Sequence, residues 1–147
     1  MGNGAGLTEA EVAALVEEWY LGKLDAHAPA DDVVALLAEE GLEMVFPEAT
    51  VRTVDGFRRL YAQWVGTYFD EVHAIEDLRI AIAGDRADIA VVVRWQRRTW
   101  RPPAPRSEWR GFVAEQTWEV VRAARTGRPV IRRYAVDRFR AAPDPAA

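Results

Sequence analysis

Two histidines, His27 and His73, are the side chains in this 147-residue sequence best suited to move protons near neutral pH. Both lie among carboxylates: Asp25 stands two residues before His27, and Asp70 and Glu71 stand just before His73. A metal site would have to draw on the same set. DEVH is not HExxH, however, and two histidines on separate elements give no ligand spacing, so neither a metal nor another cofactor is expected. Nucleophilic catalysis has no candidate. The chain lacks cysteine, and its single serine, Ser107, sits in a proline loop. GNGAG near the start has the wrong glycine spacing and no preceding strand for dinucleotide binding.

Gln116 is the most informative neutral polar residue, because the chain holds only three glutamines, one asparagine and one serine. Alternation puts it between Ala114 and Trp118 on an apolar wall, where an unpaired carboxamide costs about 1–3 kcal/mol. It therefore requires a partner: Tyr20, Tyr134, the backbone or a ligand. Two registers of the last strand are open. One sets Asp137 beside Gln116, where desolvation would raise its pKa and make it a general acid or base; a slip of one residue brings Tyr134 to the wall instead. The proton-handling candidates are thus Tyr20, Gln116, Asp137, His27 and His73.

The elements that must position these groups are legible from periodicity. Thr8 and Glu11 form a capping box and Leu7 and Val12 a staple, so a helix is predicted from Thr8 to about Leu24, with Val12, Leu15, Val16, Trp19 and Tyr20 inward. Asp31 is expected to cap a second helix that Gly41 ends. LEMVFP reads as a short strand with Leu42, Met44 and Phe46 on one side. A third helix, Val54 to Tyr68, carries Phe57, Leu60, Tyr61, Trp64, Val65 and Tyr68 on one stripe. Everything after it reads as an antiparallel meander of long strands, giving an α+β domain over residues 7–140 with tails at 1–6 and 141–147.

Alternation puts Ala87, Ile89, Val91, Val93 and Trp95 on the inner side of one central strand, and Phe112, Ala114, Gln116, Trp118 and Val120 on that of the next. The outer sides carry Arg94, Gln96 and Arg98, which are expected to meet Glu115 and its neighbours across strands. The inner wall and the helices bring Met44, Phe46, Trp64, Tyr68, Trp95, Trp118 and Tyr134 together as a lining for a small hydrophobic ligand.

Charge is divided along the chain. Residues 1–50 hold eleven acidic groups against Lys23, and residues 94–140 hold thirteen arginines against four acidic groups. The arginines alternate along strands beside glutamates, without a basic recognition helix, so nucleic acid is not an expected partner. No run is long and apolar enough for a membrane helix, and the first residues lack a secretory signal pattern, so a cytoplasmic protein is expected.

The element order, with LDAHAPADDVVALLAEEGLEMVFP, TVDGFRRLYAQW and IAGDRADIAVVV, resembles the nuclear transport factor 2-like superfamily and its SnoaL-like polyketide cyclases. The resemblance spans Leu7 to Phe139. It implies a cone: three helices packed on a strongly curved antiparallel sheet around a cavity used for isomerisation, cyclisation, dehydration, epoxide opening or binding alone. Tyr20 matches the oxyanion-stabilising tyrosine of the ketosteroid isomerase branch, but Phe46 stands where that branch has its aspartate base. Arg94 and Asp137 match members of the limonene epoxide hydrolase set, with Arg94 on the outer face. The resemblance also implies a homodimer, joined through the outer sheet face at Arg94, Gln96, Arg98 and Glu115. Two functions follow as expectations: a cofactor-independent cyclase, isomerase or dehydratase acting on a polyketide-, terpenoid- or aromatic-like substrate, and a binding or assembly module without chemistry.

Overall fold

The capping box at Thr8 forms as its residues require. The Glu11 amide donates to Thr8 Oγ1 at 3.1 Å and the Thr8 amide donates to Glu11 Oε2 at 3.0 Å. It starts helix α1 (Glu9–Glu17) in a computed structural model that describes residues 6–143. Glu11 also binds Arg122 at 3.1 Å, and the Thr8 backbone bond first, then Arg122, holds its carboxyl below the ordinary 4.5. Thr8→Ala is expected to cost about 1 kcal/mol in urea unfolding at neutral pH. Glu11's contribution is present above its ordinary pKa and is lost as pH falls through the lowered folded value, in wild type and variant alike, because the backbone amide of residue 8 and Arg122 remain in both.

From Glu18 to Leu24 the helix widens into a π-helical stretch that buries Trp19, Tyr20 and Leu24. The second helix is shorter than predicted. α2 covers only Ala30–Val34 and starts after Pro29, because the next backbone groups turn to the sheet: the Ala38 amide donates to Ile131 O and the Ile131 amide to Leu36 O, both at 2.8 Å. Gly41 does take the left-handed conformation, at φ 71°. Strand β1 (Glu43–Val45) and the short β2 (Thr50–Val51) lead to α3 (Val54–Thr67), capped by Thr53. Its buried stripe is Phe57, Leu60 and Tyr61; Val65, predicted inward, is 39% exposed at the far end.

The long strands are β3 (Phe69–Ala83), β4 (Arg86–Thr99), β5 (Glu108–Arg122) and β6 (Pro129–Ala142). The sheet order is β2-β1-β6-β5-β4-β3. It is mixed, not wholly antiparallel as predicted: the four long strands form the antiparallel meander, but β1 runs parallel to β6, since α3 carries the chain from the β1–β2 edge to the opposite edge, where β3 begins the meander. Ala141 and Ala142, predicted in a tail, pair with Phe112 and Gly111. The remaining predicted tail residues lie mostly outside the described ones, as does most of GNGAG; Gly6 meets the Gly84 carbonyl so closely that an added Cβ would stand 2.5 Å from it.

Register shifts at Phe69/Val72 and Ile75/Asp77 in β3, and at Glu115/Gln116 and Glu119/Val120 in the β5–β6 pair, curl the sheet around the helices. The architecture is an α+β cone, with Trp19, Phe57, Trp118 and Ile131 in its core. On the outer face the expected pairing of Arg94 with Glu115 does not form. Arg94 binds Glu76 of β3 at 3.2 Å, and Glu115 faces Arg138 of β6, because β4 and β5 oppose Arg94 to Val113.

Candidate active site

A cavity of about 250 Å³ opens between the concave sheet face and the helices, close to the lower end, about 300 Å³, for ligand sites. Its polar wall is built from the end of the first helix. In a π-helix the bonds run five residues back, as in Asp25 N to Tyr20 O at 2.9 Å, so side chains five apart lie nearly above one another. Tyr20 and Asp25 therefore both reach His73 of β3. The Tyr20 ring stacks on the imidazole at 5.0 Å between centroids. Asp25 Oδ1 lies 2.5 Å from His73 Nδ1, and Asp25 Oδ2 accepts the His73 backbone amide at 2.8 Å. Trp95 stacks parallel to the other ring at 5.9 Å. His73 is 9% exposed and lines the cavity. With Nδ1–H donating to Asp25, the lone pair is on Nε2, which has no protein partner among the described residues.

A second histidine–carboxylate pair stands beside the first. His27, at φ 49°, binds Glu71 through Nε2, and Trp95 Nε1 donates to the other oxygen of Glu71 at 3.0 Å. Glu71 lines the cavity and His27 stands behind it. Tyr61, also on the lining, donates to Ala28 O at 2.5 Å; burial first and then Glu71 raise its hydroxyl pKa.

Gln116 finds partners on its own wall. Its Oε1 accepts Tyr20 OH at 2.5 Å and Trp118 Nε1 at 3.0 Å, and the residue lines the cavity beside Tyr134. Burial pushes the Tyr20 hydroxyl well above its ordinary value, with Tyr134 adding to the rise, and pushes Tyr134 up to about 12. Both phenols are neutral hydrogen-bond donors at any physiological pH.

The register resolves the open choice between Asp137 and Tyr134. Gln116 faces Val136 and Trp118 faces Tyr134, and Asp137 is the extra residue of a bulge between the Glu115–Arg138 and Gln116–Val136 pairs. Tyr134 is inside. Asp137 is outside, accepting Thr117 Oγ1 at 2.6 Å, so it is not the general acid or base that the other register would have placed beside Gln116. The same bulge turns Phe139 onto the cavity lining.

Of the five proton-handling candidates, His73 and Gln116 reach the cavity; Tyr20 and His27 stand one layer behind, and Asp137 is on the opposite face. Of the expected lining, Phe46, Trp64, Tyr68, Trp95 and Tyr134 are present. Met44 and Trp118 are not: each is fully packed into the core behind the wall. In the sequence Asp25 and Glu71 stand out only as metal-ligand candidates, and the expected lining does not include Arg97, which continues the inward alternation of Val93 and Trp95 on β4.

No protein-family profile matches the chain, and no curated protein matches it in sequence. Solved structures do match in shape. A candidate scytalone dehydratase from Novosphingobium aromaticivorans aligns with TM-score 0.74 at 15% identity over 91% of this chain and 83% of its own. A candidate dehydratase of the nuclear transport factor 2-like family from Streptomyces avermitilis aligns with TM-score 0.69 at 13% identity, covering 86% and 92%. A type 2 hexachlorocyclohexane dehydrochlorinase gives 0.67 at 13%, covering 91% and 88%. With its helices closed over a six-stranded curled sheet, the chain has the nuclear transport factor 2-like cone fold.

Proposed function

We propose that this protein is a proton-transferring lyase or isomerase acting on a small, largely hydrophobic molecule held in the aromatic cavity. The observation that carries the reading is the His73–Asp25 pair on the cavity wall, 2.5 Å between Nδ1 and Oδ1. Asp25 fixes the tautomer and stabilises the imidazolium that forms when Nε2 removes a proton from the ligand. Gln116 N–H₂ and the neutral Tyr134 hydroxyl are donors for a carbonyl oxygen that gains negative charge in that step. From the resulting enolate, a β-hydroxyl leaves as water by taking the proton back from the His73 imidazolium, or a β-halogen leaves as halide while that proton passes to solvent, and return of the proton at another carbon instead completes an isomerisation. Elimination is the favoured outcome, supported by the two dehydratase candidates and the dehydrochlorinase among the structural neighbours. All of these steps use groups of the chain itself.

The test is proton exchange in D₂O, followed by NMR over a panel of cyclic ketones bearing β-hydroxyl or β-halogen groups. Deuterium uptake or elimination with wild type, lost in His73→Asn, is the expected result. Equal rates in both proteins would remove His73 as the base.

We also propose a homodimer formed through the outer sheet face around Arg94, Gln96, Arg98 and Glu115. It is supported by Val72, exposed at 47% beside Gln96 on the edge strand β3. Light scattering is expected to give twice the chain mass at micromolar concentration, and a monomer there would overturn the proposal.

A further inference from the structure

Arg97 projects from β4 into the same cavity without a carboxylate partner among the described residues. Its Nε is buried and unbonded among the described residues. Several other arginines of the sheet are paired with carboxylates, among them Arg94 with Glu76, Arg122 with Glu11 and Arg132 with Glu119. The two carboxylates that line the cavity are engaged elsewhere. Glu71 holds His27 and the Trp95 indole, and Glu48, exposed at the mouth, accepts Trp64 Nε1 at 3.1 Å. What holds Arg97 is aromatic. Its guanidinium carbon lies 4.6 Å from the Tyr68 ring centroid, 5.1 Å from Phe112 and 5.4 Å from Trp95. Ring faces attract a cation and fix the plane of the guanidinium, but they offer its N–H groups no acceptor, so a buried donor is left for an oxygen that the described residues do not supply.

Resting on the reading of this cavity as the ligand site, we infer that the ligand is an aryl or similarly unsaturated carboxylate, whose anionic end pairs with Arg97 while its ring lies against Trp95 and Phe112. A planar fork of N–H donors matches a carboxylate in two parallel bonds, and a desolvated site strengthens them. The strand geometry sets the ligand's length. Trp95 lies opposite His73 across β3 and β4, and Arg97 is two residues farther on the same face, an advance of about 7 Å. The carboxylate and the proton that His73 removes are therefore separated by roughly the span of one ring.

Calorimetric titration of the full chain with benzoate and 2-naphthoate, each against its uncharged amide, tests the assignment. Wild type is expected to bind the acids at least about tenfold more tightly than the amides. Arg97→Met is expected to abolish that preference, and Arg97→Lys to restore part of it. Circular dichroism confirms that each variant folds, and Arg97→Gln replaces the Met variant if it does not. Equal binding of acid and amide by wild type, or a preference that survives in the Met or Gln variant, overturns the carboxylate assignment while leaving the cavity as a ligand site. Binding of neither class overturns both.

Discussion

Asp25→Asn is expected to slow proton exchange or elimination about 10²- to 10⁴-fold with little change in thermal stability, the larger figure being the loss typical when an orienting aspartate is made neutral. The two oxygens of Asp25 do separate jobs. Oδ2 accepts the backbone amide of His73, and Oδ1 meets the ring Nδ1. An asparagine oxygen still accepts the backbone amide, so β3 stays tied to the first helix. The amide nitrogen then faces Nδ1 as a donor, which favours the tautomer carrying its hydrogen on Nε2, and the cavity-side nitrogen loses its lone pair. The imidazolium formed during the reaction also loses its counter-charge. Single-turnover rates in D₂O separate this effect from binding: the loss belongs in kcat, with KM nearly unchanged. A variant that keeps its rate while keeping its fold would reduce the Asp25–His73 contact to a tether between helix and sheet.

Much of this arrangement was legible before any coordinates. Leu42, Met44 and Phe46 on one side of a short strand, the capping box at Thr8, and the inward alternation from Ala87 to Trp95 follow from local periodicity, and all three hold. What periodicity misses is the change of period. Treating Thr8 to Leu24 as one α-helix turns Asp25 away from Tyr20, whereas the π-helical stretch aligns them, and no residue in EWYLGKL announces the wider turn. Bulges hide in the same way. A single extra residue at Asp137 sends it outside and Phe139 inside, and strict alternation along β6 cannot show both. Arg97 was accessible to alternation. A charged side chain continuing an apolar inward row is a signal of its own, because burial of an unpaired cation needs a reason.

Gln116→Leu is the second large effect expected, and its size comes from what it strands. Gln116 Oε1 is the common acceptor for the Tyr20 hydroxyl and the Trp118 indole N–H, two donors on residues that are 0% and 1% exposed. Leucine keeps the bulk and removes the oxygen, so both donors are left in an apolar wall at about 1–3 kcal/mol each. A loss of about 2–5 kcal/mol in denaturant unfolding is expected, against a total stability of about 5–15 kcal/mol for a domain of this size. Tyr20→Phe in the same background takes away one stranded hydroxyl and is expected to return about 1 kcal/mol or more, although Tyr20→Phe alone destabilises the wild type. That reversal of sign cannot arise from lost packing, because the ring and its stack on His73 are the same in both backgrounds. If the two substitutions simply add, the buried bond between the first helix and β5 contributes nothing specific. A coupling of the expected sign makes Gln116 the residue that joins the helix preceding Asp25 to the sheet wall of the cavity, so that the stability of the cone and the placement of Asp25 against His73 depend on the same oxygen.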